Sequence, residues 1–459
     1  MADWIHVRGR GTVSKVNGAE ESDATPDDIG GIARQVAADA VYGSFGDFRD
    51  EYWKKKWNSA PEDLVRVDAA RDDNDHRKFT IDISINPALY DVTRGGLQHF
   101  LGVLAGDLFY LRIPGFILKD INVTKVEIPD GLSRALETTY RKEAYSTQRI
   151  RSAFQLNSHD ALLAFSFKPR VGLKADAIRE ITLGVLDAGF HIVEFDTRYL
   201  DLSDATVDFL LELAGEAAQV GGKGRITRLS PNLSVAAPLA LDLCHRFGKT
   251  SDWPYIVKVD GGFDGLSTVQ EIRRQFAGTH APIITCYPLL RDQLASKIPP
   301  DTFVAALAQS GVDIVYPGKG PSVGKPFREL GQAESEAVGE ATRRYRLLAD
   351  KEWPMISLAG GVYAGQLHAL FELVGPKVAY FLGGAVSLHR RGPVEGARLC
   401  SKVLAKSAKL HCDALADVAD LPGELIKEIE EAYDIPPGID KNTFHYVPPR
   451  DLKVEVPRW

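Results

Sequence analysis

The segment HIVEFDT, residues 191–197, carries two carboxylates at a spacing that places them on one face of a strand. Successive side chains of a β-strand point to opposite faces, so Glu194 and Asp196 share one face with Ile192. Such a pair at a strand end is typical of a solvated edge strand, or of a barrel mouth that holds a metal ion or moves a proton. This segment alone leaves both alternatives open.

Two lysines lie where acid–base chemistry is expected. Lys168 follows the apolar segment LLAFSF and shares its strand face with Ser166. A lysine in a water-poor site has a lowered pKa and can then act as a base or an acid. Lys325 lies in GPSVGKPFRE, a sequence typical of loops that close over substrates. Each lysine alone is also compatible with a solvated side chain.

Eight short apolar segments in the second part of the chain each precede a segment of helical periodicity. They are residues 162–168, 191–196, 226–232, 255–260, 282–287, 313–318, 355–360 and 378–383. Eight such units over roughly 250 residues are what a (β/α)8 barrel, or TIM barrel, requires. A doubly wound open sheet is the competing fold. No GxGxxG motif follows the first strand, which favours the closed barrel and predicts no nucleotide cofactor.

The patterns divide the chain into three parts. Residues 1–155 mix helical and strand patterns and predict an α+β, ferredoxin-like domain. Residues 156–410 form the predicted α/β barrel, and residues 411–459 predict a helical and then extended tail. Because the active site of such a barrel lies at the C-terminal ends of its strands, Glu194, Asp196 and Lys168 are expected together.

Two glycine pairs follow the seventh and eighth predicted strands, Gly360-Gly361 and Gly383-Gly384. Glycine lets backbone N–H groups approach and point at a phosphate, and barrels often bind phosphate in these two loops. Tight turns are the alternative explanation for one pair. Two pairs at the two expected strands favour phosphate binding. Asn232, at the end of the third strand, is a further candidate for binding the substrate.

Composition excludes several classes of function. The formal net charge of −7 argues against a general nucleic-acid surface, which needs a basic excess. The apolar runs fall short of the roughly 20 residues that span a bilayer, and the N-terminus carries no apolar signal-peptide core. The four cysteines form no CxxC pair, so neither a zinc knuckle nor a disulfide framework is indicated. We therefore expect a cytoplasmic protein that binds no membrane.

Six collinear motifs resemble those of the large subunit of ribulose bisphosphate carboxylase (RuBisCO). Four lie in the barrel: SFKPRVGL (166–173) resembles KPKxGL, SVGKPFRE (322–329) resembles VVGKxEGE, SLAGGVY (357–363) resembles SGGIH, and YFLGGAVSLH (380–389) resembles QFGGGxxGH. Two lie in the N-terminal domain: VAADAVYGSF (36–45) is similar to AAESSTGTW, and LAGDLF (104–109) to IVGNVF. The resemblance covers most of the chain in the right order, although no single motif is exact.

HIVEFDT departs from the family's second-strand motif, GxDFxKDDE. The family's lysine is carbamylated and binds Mg²⁺ together with the second aspartate and the glutamate of that motif. Here Glu194 stands at the lysine position, Asp196 matches the aspartate and Thr197 replaces the glutamate. No carbamate can form. Mg²⁺ could still bind through Glu194 and Asp196, and metal-free use of the pair is the alternative.

Further departures fall at positions that serve CO2 capture and bisphosphate binding in the carboxylases, where this chain has Asp39, Asp107 and Ala359. The chain therefore resembles the RuBisCO-like proteins of form IV, which do not fix CO2. The resemblance implies an isomerase- or lyase-type enzyme, either an enolase or isomerase or a transcarboxylase-hydrolase. It would act on a phosphorylated keto-sugar or oxo-acid sugar through an enediolate. The alternative is a catalytically lapsed sugar-phosphate-binding or regulatory protein.

The resemblance also assigns roles. Lys168 would move the proton next to the carbonyl, Lys325 would cover the substrate, and the glycine pairs would hold its phosphate. Family members assemble as dimers in which the N-terminal domain of one chain completes the barrel mouth of the other. We therefore expect a homodimer with its active site at the subunit interface, where Asp39, Ser44 and Asp107 would contact the small phosphorylated substrate.

Overall fold

A computed structural model of the chain divides into two units, Met1–Lys142 with Leu290–Ser310 and Glu143–Leu289 with Gly311–Trp459. The residues that the structure describes are 4–17, 20–33, 63, 65–72, 74–75, 77–87, 116–142, 144–168, 173–196, 203–220, 229–233, 235–250, 255–260, 265–276, 281–287, 298, 300–318, 320–321, 332–360, 362, 364–413 and 421–432. None of the helices among them has the length and apolar character that a membrane-spanning helix needs.

The first unit contains an antiparallel sheet. Its strands are β1 (Ile5–Asn17), β2 (Glu20–Asp23), β3 (Val65–Arg71), β4 (Lys78–Ile85) and β5 (Phe116–Glu127). They pair in the order β2-β1-β4-β3, and β5 pairs with β1 along the edge opposite β4. Strand β4 alternates as its sequence predicts, because Phe79, Ile81, Ile83 and Ile85 are all buried on one face.

Helices complete this unit. Helix α1 (Asp130–Leu136) runs into a π-helical turn (Glu137–Arg141), and α7 (Pro300–Gln309) is grouped with the same unit. Gln309 Nε2 donates to Ser133 Oγ at 3.3 Å, which ties α7 to α1. Residues 26–33 are helical as well. Strands and helices in this arrangement confirm the predicted α+β class for the N-terminal part.

The second unit contains eight parallel strands. They are β6 (Leu162–Ser166), β7 (Ile192–Phe195), β8 (Leu229–Pro231), β9 (Ile256–Val259), β10 (Ile283–Cys286), β11 (Ile314–Val315), β12 (Met355–Ala359) and β13 (Ala379–Leu382). The order is β8-β7-β6-β13-β12-β11-β10-β9. A bridge between Asn232 and Lys258 joins the two ends, and Leu233 N–H donates to Lys258 O at 2.7 Å. The predicted closed barrel is therefore confirmed.

Helices precede, connect and follow the strands of this unit. They are α2 (Thr147–Ala153), α3 (Ala175–Asp187), α4 (Asp204–Gln219), α5 (Ala237–Gly248), α6 (Gly265–Gln275), α8 (Gln332–Ala349), α9 (Leu367–Val374), α10 (Gly384–Ser387), α11 (Pro393–Asp413) and α12 (Gly423–Ala432). Helix α12 falls within the part of the tail that the sequence predicts to be helical. The expected extended segment, residues 433–459, lies outside the described residues.

The interior of the barrel changes from apolar at its base to polar at its mouth. At the base, Tyr145, Ile150 and Phe154 from α2 and its preceding turn pack against inward-facing residues of the strands, such as Leu162 and Ile256. Towards the mouth, the inward positions become polar: Ser166, Glu194, Lys258, Thr285 and Ser357. The barrel is thus a packed core beneath a polar cavity, as expected for this fold.

Candidate active site

A cavity of about 430 Å³ opens at the C-terminal ends of the barrel strands. This size falls within the range of small-molecule sites. Every barrel strand except β8 contributes to its wall. Among the residues that the structure describes, seven charged or glycine residues line it: Lys168, Glu194, Asp196, Lys258, Gly360, Gly383 and Gly384. Six of these seven were predicted from the sequence, and the structure brings them together as expected.

Glu194 lies on the cavity floor in a buried ion pair. Its Oε1 accepts a hydrogen bond from Lys258 Nζ at 2.7 Å and another from Ser166 Oγ at 3.3 Å. Both members of the ion pair are almost fully buried. The carboxylate is therefore held by a hydroxyl group of β6 and by an ammonium group of β9.

Lys258 is the site residue to which the sequence assigned no role. It is an inward-facing lysine in the otherwise apolar strand IVKV. Such a lysine indicates a partner of opposite charge, because lysine is almost never buried without one. The identity of that partner depends on the strand order of the barrel. Strand β8 lies between β7 and β9, so Glu194 of β7 and Lys258 of β9 are separated by one strand.

Asp196 continues the same face of β7 one step closer to the mouth. It is half-buried, and Asn232 Nδ2 lies 3.4 Å from its Oδ1. Asn232 is itself buried and does not line the cavity. The described contacts of Asn232 thus support Asp196 and the barrel closure. A direct contact between Asn232 and a substrate stays a prediction.

Lys168 projects beside the loop that follows β13. A Cβ atom built on Gly383 would lie 3.6 Å from Lys168 Cε and 3.3 Å from Ser166 O, so any larger residue would crowd the lysine and its strand. Ser387 Oγ donates to Lys168 O at 3.1 Å. Glycine at position 383 therefore lets the loop approach β6 closely and keeps Lys168 in a defined place.

The glycine loops form the wall next to Lys168. Gly360 has φ +81°, a conformation that side chains of L-residues rarely adopt. Gly384 begins the short helix α10, and the first N–H groups of a helix have no partner within the helix. Backbone donors of this kind suit an anionic group. Gly361 lies outside the described residues.

An aromatic pair forms the wall beside Gly360, where a Cβ atom built on Gly360 would lie 3.8 Å from the Tyr316 hydroxyl oxygen. The rings of Tyr287 and Tyr316 stack with centroids 4.7 Å apart and planes inclined by 19°. Lys258 Nζ lies 5.3 Å from the centroid of the Tyr287 ring, within the range of a cation–π contact. The cavity thus has a glycine wall, an aromatic wall and a charged floor.

The remaining predicted site residues are Lys325, Asp39, Ser44 and Asp107, and all of them lie outside the described residues. His389, a further residue of the glycine-rich loop, does not line the cavity. Its Nδ1 accepts a hydrogen bond from Arg391 N–H at 3.1 Å. Burial lowers the pKa of His389, with Arg391 adding to the effect.

The arrangement of side chains does not fit a Mg²⁺ ion held between Glu194 and Asp196. The ammonium group of Lys258 already neutralises Glu194 at 2.7 Å, and it would repel a second cation placed beside it. Across the described part of the chain, no three His, Cys, Asp or Glu side chains are placed to hold a metal ion. The predicted Mg²⁺ therefore needs a direct binding test.

No protein-family model matches the sequence, and a search of curated proteins finds no match. Solved structures do match. An octameric ribulose-1,5-bisphosphate carboxylase/oxygenase from Pyrococcus horikoshii has a TM-score of 0.67 and 17% identity, over 94% of this chain and 92% of that one. A RuBisCO-like protein (MtnW) from Alicyclobacillus acidocaldarius has a TM-score of 0.62 and 17% identity, over 89% and 94%.

A dimeric archaeal RuBisCO from Hyperthermus butylicus is similar to the same degree, with a TM-score of 0.64 and 15% identity over 89% of this chain and 91% of that one. Identities this low establish the fold alone. The resemblance in the motifs is confirmed at that level: this chain has the fold shared by RuBisCO and RuBisCO-like proteins.

Proposed function

We propose that this chain is a RuBisCO-like enzyme that does not fix CO2. It would act on a small phosphorylated keto-sugar or oxo-acid sugar through an enediolate, in the manner of an enolase, an isomerase or a transcarboxylase-hydrolase. The observation that supports the proposal is that one cavity is lined by Lys168, two carboxylates and the glycine loops after β12 and β13.

The arrangement suggests how the substrate would bind. Its phosphate would accept hydrogen bonds from backbone N–H groups of the loops that contain Gly360 and Gly383, the usual place for phosphate in such barrels. That position leaves the carbon skeleton over the charged floor. Lys168 is next to Gly383, so a phosphate in the loop would bring the neighbouring carbons within reach of its amine.

Lys168 would move the proton. As a neutral amine it would take a proton from the carbon next to the carbonyl; the electron pair of the broken C–H bond would form the carbon–carbon double bond of the enediolate, and the carbonyl π pair would move to oxygen. Movement of the hydroxyl proton from one enediolate oxygen to the other, and return of the carbon-bound proton to the former carbonyl carbon, would complete an isomerisation. Carboxylation in the manner of RuBisCO is disfavoured, because Glu194 cannot be carbamylated and its carboxylate already binds Lys258.

Solvent exchange tests this reaction without knowledge of the product. Phosphorylated ketoses and keto acids would be incubated with the protein in deuterated water, and loss of the C–H signal next to the carbonyl would be followed by NMR. The variant Lys168→Ala should slow exchange by about 10²- to 10⁴-fold. Lys351→Ala is the matched control, since Lys351 is exposed and precedes β12 at the other end of the barrel. Equal exchange rates for Lys168→Ala and the wild type would refute the role of Lys168.

A second candidate function is phosphorylated-ligand binding without catalysis. The observation in its favour is that Lys258 neutralises the carboxylate at the former carbamate position. Calorimetric titration with the same phosphorylated compounds separates the two candidates. If at least one compound binds and no compound in the panel shows exchange, a binding or regulatory protein would be favoured.

We also propose that the protein is a cytoplasmic homodimer. The Hyperthermus enzyme is dimeric and the Pyrococcus enzyme octameric. Light scattering coupled to gel filtration should give twice the 50.3 kDa of one chain. Because Asp39, Ser44 and Asp107 are expected to reach the partner's cavity, mixing Asp107→Ala with Lys168→Ala chains should restore part of the exchange activity.

A further inference from the structure

We infer that the ammonium group of Lys258 is a resident cation that takes the place of a divalent metal ion at the floor of this cavity. The inference rests on the proposed function, because it assigns the charge that would stabilise the enediolate. It also has a consequence that needs no substrate. The carboxylate face of β7 should bind divalent cations only when Lys258 is removed.

The contacts of Glu194 support this assignment. Lys258 Nζ lies 2.7 Å from Glu194 Oε1, and the two side chains are 11% and 8% exposed. Ser166 Oγ donates to the same oxygen from the other side. A buried carboxylate that accepts from both an ammonium group and a hydroxyl has its charge balanced within the protein, so Glu194 has no unbalanced charge with which to attract a further cation.

The position of Lys258 suits a catalytic role. The side chain lines the cavity, and the ring of Tyr287 lies 5.3 Å from its Nζ. Ion pair and ring together restrict the ammonium group to the floor, where the carbonyl of a substrate held by the glycine loops would lie. An ammonium fixed before the reaction stabilises developing negative charge without reorganisation.

The proposed step balances without a metal. The Lys168 amine takes the proton from carbon, and the electron pair of that C–H bond forms the carbon–carbon double bond of the enediolate. The carbonyl π pair moves to oxygen, and a Lys258 N–H group donates a hydrogen bond to that oxygen. Lys258 keeps its proton throughout and therefore acts as an electrostatic stabiliser.

Manganese binding tests the inference. Mn²⁺ would be titrated into the purified full-length protein without substrate, and the free ion measured by electron paramagnetic resonance. Four proteins are compared: wild type, Lys258→Met, Lys258→Arg and the double variant Lys258→Met/Glu194→Gln. Methionine removes the charge with little change in size, whereas arginine retains it. Circular dichroism would establish that each variant is folded.

The inference makes a specific prediction for each protein. Wild type and Lys258→Arg should show no stoichiometric site. Lys258→Met should bind Mn²⁺ roughly tenfold or more tightly than the wild type, because carboxylate charge sets the affinity for such cations. The double variant should lose that gain. A wild-type chain that binds one Mn²⁺, with the site lost in a single Glu194→Gln variant made for that case, would overturn the inference, and so would a folded Lys258→Met variant that gains nothing.

The wild type alone gives a decisive result if Lys258→Met does not fold. Exchange of the best substrate should then be unchanged by EDTA, whereas loss of exchange that Mg²⁺ restores would overturn the inference. Failure of the inference and of the proposed function are distinguishable. Metal-dependent exchange would support the proposed enzymatic function and contradict the role of Lys258 as a resident cation. The expected Mn²⁺ pattern without any exchange would support the role of Lys258 as a resident cation and contradict the enzymatic function.

Discussion

The two ends of the barrel each contain a buried ion pair, and the two pairs differ in what surrounds them. Arg273 and Asp313 form the pair at the base, with side chains 1% and 0% exposed. Glu194 and Lys258 form the pair at the mouth, where both side chains line the cavity. One pair is closed off by protein, and the other faces the space that a ligand would fill.

Every contact of the base pair serves packing. Asp313 accepts hydrogen bonds from Tyr145 N–H at 2.6 Å and Ile284 N–H at 2.7 Å, besides that from Arg273. Arg273 Nε donates to Gly311 O at 2.7 Å. Burial raises the pKa of Asp313, while Arg273 and the two backbone donors act against this. The pair thus links helix α6, the turn before α2 and two strand beginnings.

The mouth pair makes fewer contacts within the protein. Glu194 Oε1 accepts from Lys258 and Ser166, and Lys258 also faces the cavity and Tyr287. In barrels of this kind the base carries stability and the mouth carries chemistry. The comparison therefore indicates that the Arg273–Asp313 pair stabilises the fold and that the Glu194–Lys258 pair is available to a ligand.

The largest expected effect comes from breaking the base pair. Asp313→Ala leaves a buried guanidinium without its counter-charge and two backbone N–H groups without an acceptor, so the free energy of unfolding should fall by about 3–5 kcal/mol. Urea unfolding followed by circular dichroism measures this. Asp350→Ala is the control, because its pair with Lys377 is exposed and should contribute under about 0.5 kcal/mol. A loss at Asp313 no larger than the loss at Asp350 would contradict the assigned role of the base.

Breaking the mouth pair should cost less stability. Lys258→Met leaves the Glu194 carboxylate without its ammonium, but water in the cavity can solvate it, so we expect a loss of about 1–3 kcal/mol. Adding Glu194→Gln should return part of this stability and none of the exchange activity. The same unfolding experiment, run beside the NMR assay, measures both. A loss equal to that of Asp313→Ala would mean that the two ends do not differ.

Much of this architecture was predictable from local sequence patterns. The alternation in KFTIDISI and the eight strand–helix units specify the two sheet types, because both patterns depend only on neighbouring residues. The positions of Glu194 and Asp196 followed from strand parity and the rule that barrel sites lie at strand ends. Lys168 and the glycine loops were found by the same reasoning.

The pairing of charges was not predictable. Glu194 meets Lys258, 64 residues away, because β7 and β9 lie on either side of β8 in the barrel. Arg273 meets Asp313 because α6 ends at the base, beside the beginning of β11. Such pairs depend on the register and closure of the whole sheet, which no single segment encodes. A charged residue inside an apolar strand, as in IVKV, indicates that a partner exists without identifying it.

Alkaline pH should destabilise the base of the barrel. Burial raises the pKa of the Cys244 thiol in α5 from 9.0 to about 12. The folded chain therefore holds this proton more tightly than the unfolded chain. The stability that Cys244 contributes is present below about pH 9 and is lost as the pH rises towards 12. Between pH 8 and 10 the wild type should lose roughly 1 kcal/mol more than Cys244→Ala. Urea unfolding at both pH values measures the difference, and parallel losses would exclude the thiol.

The smallest expected effect is a loss of stability at acid pH, at the mouth of the barrel. Burial lowers the pKa of His389, in the loop after α10, below its ordinary 6.5, so the unfolded chain takes up the proton first. The stability that neutral His389 contributes is present above about pH 6.5 and is lost as the pH falls.

His389→Asn retains an acceptor for Arg391 N–H and removes the titration. Between pH 7 and 5 it should therefore lose less stability than the wild type, and this difference should be the smallest of the four effects. His159→Asn, at an exposed position, is the control and should follow the wild type. Unfolding curves at the two pH values measure the effect. If His389→Asn and His159→Asn respond alike, acid acts elsewhere, and the contrast between an alkali-sensitive base and an acid-sensitive mouth does not hold.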